Sequence, residues 1–317
     1  MKLPFQIDLK DKVAVITGGG GVICGAFAEA VAQTGAKVAI LDLRKENADK
    51  VAAKIVAAGG TAMGVEANVL EPESLKAAKK VVNDAYGSCD ILINGAGGNH
   101  PKGTTTLEYY NPGDETKEEL ISFFDLDPAG VSFVFNLNFL GTLLPTQVFA
   151  GDLIGKKDAT IINISSMNAF SPLTKIPAYS GAKAAVSNFT QWLAVHFAKV
   201  GIRVNAIAPG FFVTDQNRAL LIDADGKFTP RSEKILSQTP MNRFGEVEEL
   251  IGTLLWLLCP EASSFVNGTV IPVDGGFSAY SGVWGCSKTR RPYKANYFLI
   301  LVCKKLKKIK TVCRHST

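Results

Sequence analysis

The sequence predicts an α/β protein, a doubly wound parallel sheet in a three-layer α/β/α single domain. Two observations carry this. Short apolar, β-branched runs alternate with helical stretches from residue 12 to residue 276, and such alternation means a parallel sheet covered on both faces. No internal repeat or linker interrupts that rhythm before residue 282, so one domain accounts for it.

Residues 12–17 form the first buried strand and run into four glycines, Gly18 to Gly21. An alanine-rich helical pattern over 22–32 follows, Gly35 closes it, and residues 37–42 form a second strand ending in Asp42. Strand, glycine turn, helix and acid-ended strand within about 30 residues is the Rossmann order for a dinucleotide. The glycines let backbone approach a pyrophosphate, and the helix start behind them offers free N–H groups and a positive dipole end. Asp42 is placed to accept both hydroxyls of an adenosine ribose. A 2′-phosphate about 4 Å away would be repelled by several kcal/mol at an effective dielectric near 20. That favours NAD(H), while Arg44 nearby keeps NADP(H) possible.

The alternation continues with a helix over 45–58, a strand within 61–69 ending at Asn68 and Val69, and a helix over 71–86. A fourth strand, 90–94, leads into Gly95-Ala96-Gly97-Gly98. Residues 99–127 lack periodicity and are rich in turn formers, as expected of a functional loop. A long apolar helix over 131–149 contains Asn138, and a fifth strand, 159–164, ends at Ser165 and Ser166. Tyr179 and Lys183 open a helix running to about residue 199. A sixth strand, 202–208, stops at Pro209-Gly210, and 211–240 reads as irregular. A helix over 247–258 and a last strand and turn over 269–276 complete the domain, residues 1–282.

Of 34 Lys and Arg residues, ten lie from residue 283 onward, where there is no acid. That leaves 24 against 29 Asp and Glu in residues 1–282, a formal −5. The overall +5 belongs to the 283–317 tail, and the body gives no reason to expect nucleic-acid binding. Scattered single cysteines and a charged start without an apolar run suit a cytoplasmic protein. No apolar stretch reads as long enough for a bilayer span, and two histidines in the body make a metal site unexpected.

In such sheets ligands bind beyond the carboxyl ends of the strands. Thr17, Gly18, Asp42, Asn68, Asn94, Gly95, Ala96, Gly97, Ser166, Pro209 and Gly210 all fall there. Tyr179 and Lys183, four apart, share one helix face, and a fixed ammonium beside a phenol favours its ionisation. Taken alone, two solvated side chains would explain that pair. Its order after Asn138 and Ser166 is what gives it weight.

On these motifs, including Thr17-Gly18-Gly19-Gly20-Gly21, Asn94-Gly95-Ala96-Gly97, Tyr179-x-x-x-Lys183 and Thr214, the sequence resembles the short-chain dehydrogenase/reductase family across residues 8–282. The resemblance implies that Tyr179 is the general acid–base group and that Lys183 lowers its pKa and binds the nicotinamide ribose. It makes Ser166 the residue orienting the substrate carbonyl, and Asn138 the holder of a relay water. It places Thr17, Gly18, Gly20, Gly21, Val22, Ile23, Val69, Phe212 and Thr214 with the strand-end residues around the cofactor. Val22 and Cys24 stand where the family pattern has glycine, which should alter how closely helix and pyrophosphate pack.

Substrate walls are expected from 98–127 and 211–240, with His100, Lys102, Asn217 and Arg218 suggesting an oxygen-rich, anionic small molecule. Within the family, Gly19-Gly20-Gly21-Val22 and Gly97-Gly98-Asn99-His100-Pro101 look like the D-mannonate oxidoreductases (fructuronate reductases). A gluconate 5-dehydrogenase-like or other polyol activity is the alternative, and a non-catalytic dinucleotide-binding sensor or scaffold is one of another class. The resemblance also implies a homotetramer.

Overall fold

A computed structural model describes residues 7–214 and 218–282. Contacts group Met1–Tyr280 into one compact unit and Ser281–Thr317 into a second, of which only Ser281 and Gly282 are described. The strands are β1 (Val13–Thr17), β2 (Lys37–Asp42), β3 (Thr61–Glu66), β4 (Ile91–Asn94), β5 (Thr160–Ile164), β6 (Arg203–Pro209) and β7 (Val270–Val273). They pair in the order β3-β2-β1-β4-β5-β6-β7, every pair parallel. The order reverses between β1 and β4, and that reversal opens a crevice at the carboxyl ends. Strands β1, β4, β5 and β6 are buried along their whole length, which is why they read as continuous apolar runs.

The helices are α1 (Val22–Gln33), α2 (Lys45–Ala57), α3 (Pro72–Tyr86), α4 (Pro128–Phe135), α5 (Gly141–Leu153), α6 (Pro177–His196), α7 (Arg218–Leu221), α8 (Pro230–Gln238), α9 (Ile251–Leu258) and α10 (Pro260–Ser263). Side-chain alternation along the strands builds two cores. Ile16, Ile40 and Ile93 meet Phe27 and Val31 of α1 and Leu254 of α9 on one face. Val15, Leu41, Leu92 and Ile161 meet Val82 of α3, Phe149 of α5 and Leu193 of α6 on the other. Truncating the fully buried Phe149 to alanine should cost about 3–5 kcal/mol.

Three features differ from the sequence reading. The long apolar helix starts earlier, because Asp127 caps it and Pro128 occupies its first turn, and it passes through a π-turn at Asn136–Leu140. The whole run, Pro128–Leu153, is therefore long and apolar enough to cross a membrane by length and composition, which the sequence did not lead us to expect. In the fold it packs instead within the domain, α4 against α6 and α5 against α3 and β4. Lastly, the 211–240 stretch is not wholly irregular: it contains α7 and α8, the latter capped by Thr229 with Pro230 behind it.

Candidate active site

A cleft of ≈ 590 Å³ lies over the carboxyl ends of the strands, within the range typical of small-molecule sites. One wall is the glycine turn. Gly18, Gly20 and Gly21 line it, and α1 begins at Gly21 with no side-chain cap and no acid in its first turn. Its first N–H groups are thus left for a ligand, and an anion is what they suit. At the end of β2, Asp42 is held by two backbone donors, Gly20 N–H at 3.1 Å and Arg44 N–H at 3.0 Å. Both Asp42 and Arg44 face the same cleft.

The opposite wall carries the reactive side chains. Ser166 caps a short 3₁₀ turn, accepting from Asn168 N–H at 3.3 Å, and α6 starts at Pro177 and turns Tyr179 and Lys183 toward the cleft. A buried polar seam fixes α6 against the sheet. Asn94 donates to Thr146 and Asn163, and Asn163 donates to Thr190 of α6, each at 2.9 Å. Lys183 is only 4% exposed and donates to Ile164 O at 2.8 Å. Its Nζ lies 5.7 Å from the centre of the Tyr179 ring.

Burial dominates the titration of this pair. It lowers the Lys183 ammonium to about 8, opposed by Cys24 nearby. It also raises the Tyr179 phenol above its ordinary range, against the pull of a hydrogen bond with Ser166. The sequence led us to expect a depressed phenol, but loss of hydration governs both groups here.

Asn138 is fully buried at the π-turn. Its Nδ2 donates to Gly98 O and to Val134 O, both at 2.7 Å, and its Oδ1 accepts from Gly98 N–H at 3.2 Å. A Cβ on Gly97 would lie 2.7 Å from Asn138 Oδ1 and 3.1 Å from Lys183 Nζ. The backbone can pass between them only as glycine.

The match to known proteins agrees with this geometry. Residues 12–224 match the family model described as short chain dehydrogenase. The chain belongs to the short-chain dehydrogenase family. It is therefore an oxidoreductase acting on an alcohol or ketone group, and the idle dinucleotide binder has no support left.

An uncharacterized oxidoreductase of Bacillus subtilis, UxuB, is 54% identical over 281 residues, 89% of this chain and 100% of that protein. A solved structure from Haemophilus influenzae, provisionally named a D-mannonate oxidoreductase and holding NAD, is 60% identical. It covers 89% of this chain and 100% of its own, with a TM-score of 0.84. A gluconate 5-dehydrogenase from Burkholderia cenocepacia, solved with NADP and tartrate, is 29% identical, covers 87% and 99%, and has a TM-score of 0.74.

Most of the expected residues meet in the cleft: Gly18, Gly20, Gly21, Val22, Ile23, Asp42, Gly95, Ala96, Gly97, Ser166, Tyr179, Lys183, Pro209, Gly210, Phe212 and Thr214 all line it. Others do not. Thr17 is buried and accepts from the N–H groups of Gly95 and Ala96, and Asn94 is spent in the polar seam. The Asn68 amide turns to Glu71 and to Leu70 N–H, and Val69 is buried near Gly141.

Of the expected substrate residues, the three that are described do not line the cleft. His100 accepts from Lys102 N–H and rests edge-on against Phe133, while Lys102 pairs with Asp127 at 3.4 Å. Arg218 starts α7 and is not among the residues that line the cleft, and Asn217 lies outside the described residues. In their place stand Asn99, Asn168 and Arg231. Sequence patterns contain no signal for Asn168 or Arg231; the Thr229-Pro230 helix start would have placed only the helix that carries Arg231.

Proposed function

We propose that this protein binds NAD(H) in the cleft and interconverts the keto and hydroxy forms of a sugar acid, D-fructuronate and D-mannonate. The observation that carries the reading is the convergence of Ser166, Tyr179 and Lys183 on the cleft that the uncapped start of α1 and Asp42 also line. The nicotinamide supplies or accepts the hydride. Tyr179, a phenol that burial raises further above neutral pH, donates the proton to the carbonyl oxygen and recovers it in the reverse direction. Ser166 positions that oxygen. Lys183 keeps a positive charge beside the phenol below about pH 8, and it would hold hydroxyls of the bound cofactor. Asn138 spends its side chain on Gly98 and Val134, so we assign it as the brace of the Gly97-Gly98 wall.

The D-mannonate name of the Haemophilus structure supports this substrate pair, and its bound NAD supports the cofactor. The gluconate 5-dehydrogenase likeness supports the sugar-acid class more broadly, and 5-ketogluconate is the alternative substrate. Asp42 supports NAD over NADP by charge repulsion, with Arg44 able to offset part of it. Turnover of D-fructuronate and 5-ketogluconate with NADH and NADPH tests the reading, and no fructuronate turnover with either cofactor rejects it.

We further propose a cytoplasmic homotetramer. Phe133 and Phe135 of α4 and Trp192 and Val195 of α6 are exposed apolar side chains that assembly would cover, and the buried Cys24 and Cys89 are free thiols. Residues 1–282 are proposed as the catalytic domain, with the basic 283–317 tail outside it. Deleting residues 284–317 should leave both turnover and assembly unchanged.

A further inference from the structure

We infer that Arg231 anchors the carboxylate of the substrate and that Asn168 and Asn99 read its hydroxyls, an inference that rests on the sugar-acid reading above. Arg231 lines the same cleft as Ser166 and Tyr179. It sits in the first turn of α8, and one turn later Lys234 pairs with Glu108 of the 98–127 segment. That pair ties the helix bearing Arg231 to the segment that follows β4, so the two substrate walls are joined.

Charge singles out this side chain. Among the described residues Arg231 has no ion pair or hydrogen bond, whereas Lys102 is already paired with Asp127. The only carboxylate lining the described cleft is Asp42, at the end of β2 where the adenosine ribose is expected. Among the described lining residues, nothing acidic therefore competes for Arg231 on the substrate side. A guanidinium fork matches a carboxylate with two parallel hydrogen bonds and stays charged at every working pH.

Asn168 supplies the second observation. It is only 4% exposed, and its side-chain oxygen is buried without a hydrogen-bond partner in a residue that lines the cleft. Such a group is costly unless a ligand donor meets it. Asn99 lines the cleft as well, with one amide hydrogen bonded to Thr104 at 3.1 Å. A polyhydroxy chain ending in a carboxylate satisfies all three side chains; a steroid or an acyl chain leaves them unpaired.

The test compares D-fructuronate with D-fructose, the neutral ketose that has CH₂OH where the acid has its carboxylate. Steady-state kinetics are measured for the full-length protein, Arg231→Gln and Arg231→Lys, with NADH affinity followed by fluorescence. The parent should prefer the acid. Arg231→Gln should lose about 10–100-fold in kcat/KM for fructuronate, mostly through KM, because charged hydrogen bonds are the strong ones. Turnover of fructose and NADH affinity should stay within about twofold, and Arg231→Lys should recover part of the loss.

An equal loss on both ketoses would make Arg231 a structural residue and overturn the assignment. If the parent prefers fructuronate and Arg231→Gln keeps that preference, the anchor lies elsewhere while the sugar-acid reading stands. A parent that turns over no fructuronate overturns both.

Discussion

Gly95→Ala is the sharpest test of how this glycine turn is packed. An added Cβ would lie 2.0 Å from Cys24 Sγ, against the 3.4 Å at which ordinary contact begins, so the thiol would have to recede by about 1.4 Å. Cys24 is buried in α1 at the edge of the cleft, so the thiol can recede only by leaving its packed position or by shifting the turn. Overpacking of this kind costs about 1–3 kcal/mol. Cys24→Ala removes the sulfur and leaves Cys24 Cβ at 3.5 Å from the new methyl, an ordinary contact. By itself it should cost about 1 kcal/mol for the lost burial. Thr17 O, 2.9 Å from the new Cβ, keeps the rescue incomplete.

The double variant should therefore be more stable than the sum of the two single losses, by a coupling of about 1–2 kcal/mol. Urea denaturation of the four proteins gives the stabilities, and NADH fluorescence titration shows whether the loop recovers its cofactor affinity. Strict additivity would refute the reasoning, because it would mean that the thiol and the methyl never compete for space.

Three other outcomes are expected. Tyr179→Phe should keep NADH affinity within about twofold and lose 10²–10⁴-fold in kcat, and a variant retaining more than about a tenth of the activity would remove Tyr179 from the proton step. Carbonyl reduction should hold level up to about pH 8 and fall above it, because the Lys183 ammonium, lowered from its ordinary 10.5, loses its charge there. A rate profile that climbs from pH 8 to pH 9.5 would contradict that. Glu108→Gln breaks the partly exposed pair with Lys234; it should raise the fructuronate KM by no more than about fivefold, leave kcat alone, and be repaired by the swap Glu108→Lys with Lys234→Glu. Failure of the swap to repair KM would mean that the pair does not position α8.

Much of this protein can be read locally. Buried strands announce themselves as apolar β-branched runs, and Asp42 is legible because a strand end is a position in sequence as well as in space. Ser166 is legible for the same reason, just beyond the end of β5, and Tyr179 and Lys183 because a helix period places them four residues apart; Asn138 sits in a π-turn that the regular helix period does not announce. Proximity across elements is not periodic, and there the reading failed. His100 and Lys102 have the right chemistry, yet the fold spends them on Lys102 N–H, Phe133 and Asp127. The phenol of Tyr179 carries the charge partner that its spacing promised, yet burial reverses the direction of its shift.

The difference is one of range. Hydrophobic period, glycine punctuation and helix caps act over a few residues, so the amino-acid order alone is enough to specify the parallel sheet, its crevice and the proton-handling end of the site. Arg231 lines that end on a helix held by the packing of Ile235 and Leu236 against Leu221 and Phe244, and by the pairing of Lys234 with Glu108, 126 residues earlier in the sequence. Cys24 and Gly95 likewise exchange volume across 71 positions. Contacts of that reach are set by packing and by charge pairs that no short window of sequence contains, and they are what turn a hydride-transfer fold into a site with a substrate of its own.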